Sequence, residues 1–169
     1  MEMEMETPHV QHGEHSARPT VPRFSLGVAG LLLVVLGAWG GIVPFIGPTF
    51  GFSADGKGSW HWELTHALLS LAPGAAALLA GLLIMTGAGT RVFHTALTGL
   101  AGFIAVLAGG WFVIGAIAWP LLHNSVVIVY APPATTLEYF VGYFGGVGCL
   151  LIFLGAFVAG RSAAAQRAA

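Results

Sequence analysis

Two imidazoles, one carboxylate and two indoles lie within residues 60–66, the stretch WHWELTH. Glu63 and His66 are three residues apart, so a helix would place them on one face, as in the Glu-x-x-His pairs that hold metals in helical bundles. His61 adds a third nitrogen or oxygen ligand. Ligands of this kind suit zinc or another divalent metal ion. The stretch is therefore the first candidate for a binding site.

A second interpretation of the same stretch needs no ligand. Trp60 and Trp62 have the amphipathic rings that are enriched where a membrane meets water. In that case His61 and His66 contact lipid headgroups, and the stretch marks the outer entry to a membrane-spanning helix. The sequence leaves both interpretations open.

The composition indicates that most of the chain faces lipid or other apolar helices. The protein has 169 residues, of which 56% are hydrophobic and 8% are charged, against about 25% charged residues in soluble domains. A net charge of −1 lacks the excess of basic residues that binding to nucleic acid requires. The one cysteine, Cys149, cannot build a disulfide framework. We expect an all-α, polytopic membrane protein.

Four apolar runs are each long enough to span a bilayer, which takes about 20 residues. They are Phe24–Ile46, Glu63–Thr86, Phe93–Leu121 and Leu137–Ala159. We expect Pro44 and Pro48 to end the first span, and Pro73 to kink the second. The helical domain covers 24–160, between a disordered tail (1–23) and a short polar tail (161–169).

The basic residues predict the orientation. All the arginines fall on one side of the predicted spans, at Arg18, Arg23, Arg91, Arg161 and Arg167. By the positive-inside rule both tails are cytoplasmic, N-in and C-in, and the loops 47–62 and 122–136 are outside. A single lysine, Lys57, amid abundant Gly, Ala and Val suggests a GC-rich bacterial genome, and hence the bacterial inner membrane.

The two halves of the chain have similar sequence patterns. When they are aligned without a gap, the pattern Ala-Gly-x6-Gly-x-Trp at 29–39 meets the same pattern at 101–111, and Gly74 meets Gly146. We interpret this as two tandem helical hairpins, 24–90 and 93–160, related by a pseudo-two-fold axis along the membrane normal.

The repeat extends the candidate metal site. It aligns Glu138 with His66 at the outer ends of two spans, and His123 closes the third span on the same side. The candidate ligands are His61, Glu63, His66, His123 and Glu138. Alternatively, Thr135-x-x-Glu138 is a capping box that begins the fourth helix.

Residues 37–47, GAWGGIVPFIG, precede an aromatic-rich loop and a second helix. This hairpin resembles the SPW-repeat type of small bacterial membrane protein. Val43-Pro44-Phe45 replaces the Ser-Pro-Trp core, and the second half has Ala116 where Pro44 stands. The resemblance covers about one hairpin and implies a duplicated helical hairpin without a defined activity.

Three further features bear on partners and ligands. Small-xxx-small patterns such as Gly37-x-x-x-Gly41 and Gly142-x-x-x-Gly146 let helices approach closely, either inside one bundle or between copies. His9, His12 and His15 form either a soft metal site or a solvated tail. The run Val126–Tyr130 is either a short strand, which could pair with Thr49–Phe52, or a segment lying on the membrane.

Several functions are disfavoured. No nucleophile–base set is found for an enzyme, and facing axial histidines for haem are lacking. The ranges 67–90, 95–122 and 139–160 hold no charged residue, which disfavours a proton-coupled transporter. We expect a non-catalytic accessory or structural subunit, or a small oligomer, whose outer loops form its working surface. The alternatives are a protein that binds a divalent metal or cofactor at its outer face, and an oligomeric pore for a small neutral solute.

Overall fold

The computed structural model describes residues 24–51, 58–86, 93–123, 137 and 140–168. Within these ranges every regular element is helical. Four of the helices in these ranges are long and apolar enough to cross a membrane. The part of the prediction that is confirmed is an all-helical chain with four helices of the length and hydropathy that a membrane span needs.

The helices follow the apolar runs closely. They are α1 (Phe24–Ile46), α2 (Leu64–Thr86), α3 (Phe93–His123) and α4 (Phe140–Arg167). The fourth helix is longer than predicted, because α4 continues past Ala159 to Arg167. Residues 161–167 contain no Gly or Pro and three consecutive alanines, so nothing in their backbone opposes the helix.

Helix α1 has the predicted bounds, but Pro44 lies inside it and does not end it. The helix continues through this proline to Ile46, and Pro48 lies in a 3₁₀ turn at Gly47–Phe50. Proline has no N–H to give the carbonyl four residues earlier, here Gly40. The hydroxyl of Tyr143 donates to the carbonyl of Gly40 at 2.9 Å. This bond replaces the hydrogen bond that Pro44 cannot make.

A π-helical stretch lies at the start of both α2 and α4. These stretches are Ala67–Leu71 and Phe140–Gly145. In the first, the N–H of Ala72 bonds to the carbonyl of Ala67, five residues back. Next to Pro73, where the sequence predicts a kink, the helix has a widened turn just before the proline, a common response to an interrupted hydrogen-bond ladder.

Glycines let α1 approach α2 until their backbones touch. A Cβ atom at Gly37 would lie 2.7 Å from the carbonyl oxygen of Gly74, and one at Gly81 would lie 2.5 Å from that of Gly30. Only a residue without a side chain fits such a contact. These four glycines thus mediate packing between two helices of the same chain.

Helices α3 and α4 also pack closely at facing glycines. A Cβ atom at Gly109 would lie 2.6 Å from the carbonyl of Gly148, and one at Gly102 would lie 2.7 Å from that of Gly155. The glycine that faces Gly109 is therefore Gly148, and not the Gly146 that a gap-free alignment of the halves pairs with Gly74. At this contact the gap-free alignment of the two halves is therefore off by two residues.

The bundle interior is filled by apolar side chains. Its largest fully buried members are Tyr143, Phe112, Leu33, Ile84, Leu151, Val43 and Val158. Cys149 is exposed on the surface of α4. Of the proposed strand pair, Thr49 and Phe50 lie in the 3₁₀ turn, where Pro48 fixes the backbone, and Val126–Tyr130 lies outside the described residues.

Candidate functional site

The stretch at residues 60–66 is organised around one buried ring, that of Phe45 at the end of α1. Its centroid lies 5.9 Å from Trp62 in a stacked arrangement, 5.9 Å from His66 edge to face, and 6.3 Å from Trp60. Aromatic pairs at such separations contribute beyond the area they bury. We call residues 45–51 and 58–71 the aromatic cap.

A backbone hydrogen bond at Trp60 connects the loop of the aromatic cap to the end of α1. The N–H of Trp60 donates to the carbonyl of Phe45 at 2.9 Å. Trp60 has φ of 60°, a left-handed conformation that is uncommon for a bulky residue and must be held by its surroundings. The contact with the Phe45 ring and this hydrogen bond together hold it there.

Two indoles are nevertheless left open to the surroundings. Trp60 is 68% exposed and Trp62 is 66% exposed, while Phe45 beneath them is 7% exposed. The protein therefore uses one buried ring to position two largely exposed ones. An exposed aromatic pair on a fixed backbone suits either a membrane interface or a protein partner.

Two polar contacts join residues within the stretch. The Nε2 of His61 lies 3.2 Å from Oε1 of Glu63, and the Nδ1 of His66 lies 3.2 Å from the carbonyl oxygen of His61. Because a carbonyl oxygen only accepts, Nδ1 of His66 carries the proton, and in the neutral ring Nε2 holds the lone pair. A second hydrogen bond of this kind orients the histidines that bind metals.

Three of the five candidate metal ligands therefore share one short segment. His61, Glu63 and His66 lie in the aromatic cap, with Glu63 at the residue before the first turn of α2. His123 ends α3, but its side chain lies outside the described residues, as do all of Glu138 and the tail histidines. Within the described ranges no group of three or more His, Cys, Asp or Glu side chains is arranged to hold a metal ion.

Sequence reasoning missed two residues that fix this end of the bundle. Trp111 of α3 donates its indole N–H to the carbonyl of Leu68 at 2.9 Å, and Tyr143 of α4 donates to Gly40. A signal for them did exist, because Pro44 and Pro73 each leave a backbone carbonyl in need of a donor. The identity of that donor depends on the tertiary fold.

The chain matches no protein-family model, and it matches no curated protein and no solved structure. What the protein does is therefore inferred from its own residues.

Proposed function

We propose that the protein is a non-catalytic component of the bacterial inner membrane, either an accessory or structural subunit or a small homo-oligomer, with the aromatic cap as its working surface. The observation that carries this proposal is the exposure of Trp60 and Trp62 above the buried Phe45. Exposed aromatic residues on a pre-formed backbone lose little entropy on contact with a partner.

The proposed architecture is two tandem hairpins with both termini in the cytoplasm. It is supported by the paired glycine contacts, Gly37 with Gly74 in one half and Gly109 with Gly148 in the other. The π-helical stretches also fall at corresponding positions of α2 and α4. A pseudo-two-fold axis along the membrane normal and kinship with SPW-repeat proteins are part of the same proposal.

The packed interior supports a scaffold in preference to a channel within one copy. Phe112 and Tyr143 meet edge to face with centroids 6.1 Å apart, and both are fully buried. A path for a small neutral solute would therefore have to run between copies of the chain.

Photo-crosslinking in cells tests the working surface. The photoreactive residue p-benzoylphenylalanine replaces Trp62 in one variant and Phe153 of α4, which is 67% exposed, in the control. We expect a discrete crosslinked protein from position 62, at twice the monomer mass for a homo-oligomer or at another mass for a different subunit, and none from position 153. Crosslinks to lipid alone from position 62 would leave the aromatic cap as a membrane anchor and contradict the proposal.

One observation favours the metal-binding alternative, the hydrogen bond that orients the ring of His66. Elemental mass spectrometry of tag-free protein tests it, comparing the wild type with His66→Ala. Stoichiometric zinc, iron or copper that disappears in the variant would establish a site at the aromatic cap. Metal-free wild-type protein would exclude one.

A further inference from the structure

We propose that the aromatic cap is a separate unit, hinged at Pro44 and Pro73, and that Tyr143 and Trp111 of the second half of the chain set its position. This inference rests on the proposed function in one respect, because it takes the aromatic cap as the working surface. The physical basis of the inference is the way the cap is joined to the rest of α1 and α2.

The cap is held together internally. Phe45 contacts Trp60, Trp62 and His66, and the N–H of Trp60 bonds to the carbonyl of Phe45. The carbonyl of Glu63 accepts from the N–H of Ala67, which ties the loop to the first turn of α2. These contacts link the end of α1 to the start of α2, so the segment can move as one body.

Each join between the cap and the helices passes through a proline. Pro44 directly precedes Phe45, and Pro73 follows the π-helical stretch. In the π register Ala72 bonds to Ala67, so the next carbonyl, that of Leu68, would need the N–H that Pro73 lacks. Both joins have thus lost a backbone hydrogen bond, and prolines and π-helical turns are the usual places where helices bend.

Both lost bonds are replaced from the second half. Tyr143 of α4 donates to Gly40, the carbonyl that Pro44 leaves unpaired, and Trp111 of α3 donates to Leu68, the carbonyl that Pro73 leaves unpaired. In an apolar medium an unpaired carbonyl is costly, so these two bonds favour one bend angle at each join.

The second half does not have the same arrangement in α3. The position that corresponds to Pro44 is Ala116, whose backbone N–H is present, and the position that corresponds to Gly40 is Phe112, whose ring lies against Gly40. The two halves therefore have different roles, because α3 and α4 supply the donors while the first half carries the hinged segment.

Distances between spin labels on the full-length protein in lipid nanodiscs test the inference. In a Cys149→Ala background, one pair joins the cap to α3 (Leu64→Cys with Ile117→Cys), and a control pair joins α2 to α3 along the bundle (Leu79→Cys with Leu107→Cys). All four sites are more than half exposed. We expect Tyr143→Phe combined with Trp111→Phe to broaden or shift the cap distance and to leave the control distance unchanged.

A rescue variant makes the result specific. Pro44→Ala restores an N–H for the Gly40 carbonyl, so Tyr143→Phe should disturb the cap distance in the wild type and much less when Pro44→Ala is present. An unchanged cap distance in the double variant would overturn the inference. Equal changes in the cap and control pairs would overturn it too, because they would indicate general loosening of the bundle. Neither readout needs a partner, so the outcome is independent of crosslinking at Trp62.

Discussion

The hydroxyl of Tyr143 donates to the carbonyl of Gly40 across 103 residues of sequence, at the point where Pro44 interrupts α1. The three residues form a unit. Pro44 removes the helix's own donor, the lack of a side chain at Gly40 makes room for the ring of Phe112, and Tyr143 supplies the missing hydrogen bond from α4. The helix therefore crosses its proline without losing a hydrogen bond.

Tyr143→Phe should lower the free energy of unfolding by about 1–2 kcal/mol, because it leaves a buried carbonyl unpaired while keeping the ring. In a Pro44→Ala background the cost should be smaller, since the helix then provides its own donor. Unfolding in mixed micelles, followed by circular dichroism for the four members of the double-mutant cycle, measures this coupling. Purely additive effects would show that Tyr143 stabilises α1 by ring packing alone.

Trp111→Phe should cost about 1 kcal/mol through loss of the bond to the Leu68 carbonyl. Trp39 is the matched control, because it occupies the same place in the first Ala-Gly-x6-Gly-x-Trp pattern and is similarly exposed. Within the described residues its indole has no hydrogen bond, so Trp39→Phe should leave stability nearly unchanged. Equal losses in the two variants, measured by the same unfolding assay, would assign the effect to indole area and not to the bond.

The spans were predictable because lipid demands long apolar helices, and the bounds of α1 follow directly from its apolar run. The continuation of α1 through Pro44 could not be predicted from the sequence, because it depends on Tyr143, a residue of the last helix. In the candidate site, the two exposed tryptophans were predicted as interface residues. The role of Phe45 beneath them was not, because an apolar residue at a helix end gives no sign of which rings it will contact.

The glycine positions of the proposed repeat were predictable only in part. The glycine pattern of the first helix aligns between the halves without a gap, but the glycines that face it from the second helix do not, as Gly74 and Gly148 show. In a sequence this rich in glycine, Gly146 matched as well as Gly148. Only the backbone contact distinguishes them.

Gly74→Ala should destabilise the protein by about 1–3 kcal/mol, because the added methyl group forces two packed backbones apart. Its Cβ atom would lie 2.6 Å from the backbone nitrogen of Gly41 and 2.7 Å from the carbonyl oxygen of Gly37. Gly110→Ala is the matched control within a helix, since its Cβ atom would have no neighbour within 4 Å. We expect that variant to be neutral or slightly stabilising, as alanine favours the helix.

Thermal unfolding of both glycine variants, followed by circular dichroism in mild detergent, checks this contrast. A Gly74→Ala protein as stable as the wild type would mean that α1 and α2 are not in backbone contact at Gly37 and Gly74. Similar losses in both variants would indicate a general intolerance of the helices to added bulk.

Labelling of single cysteines in intact cells tests the N-in and C-in orientation. In a Cys149→Ala background, Leu64→Cys lies in the aromatic cap and Ala165→Cys lies near the end of α4, and both positions are well exposed. A maleimide that cannot cross the membrane should label position 64 from outside, and should label position 165 only after the cells are opened, because the arginines favour the cytoplasm at that end. The reverse pattern would place the aromatic cap inside the cell and remove the basis for an outer working surface.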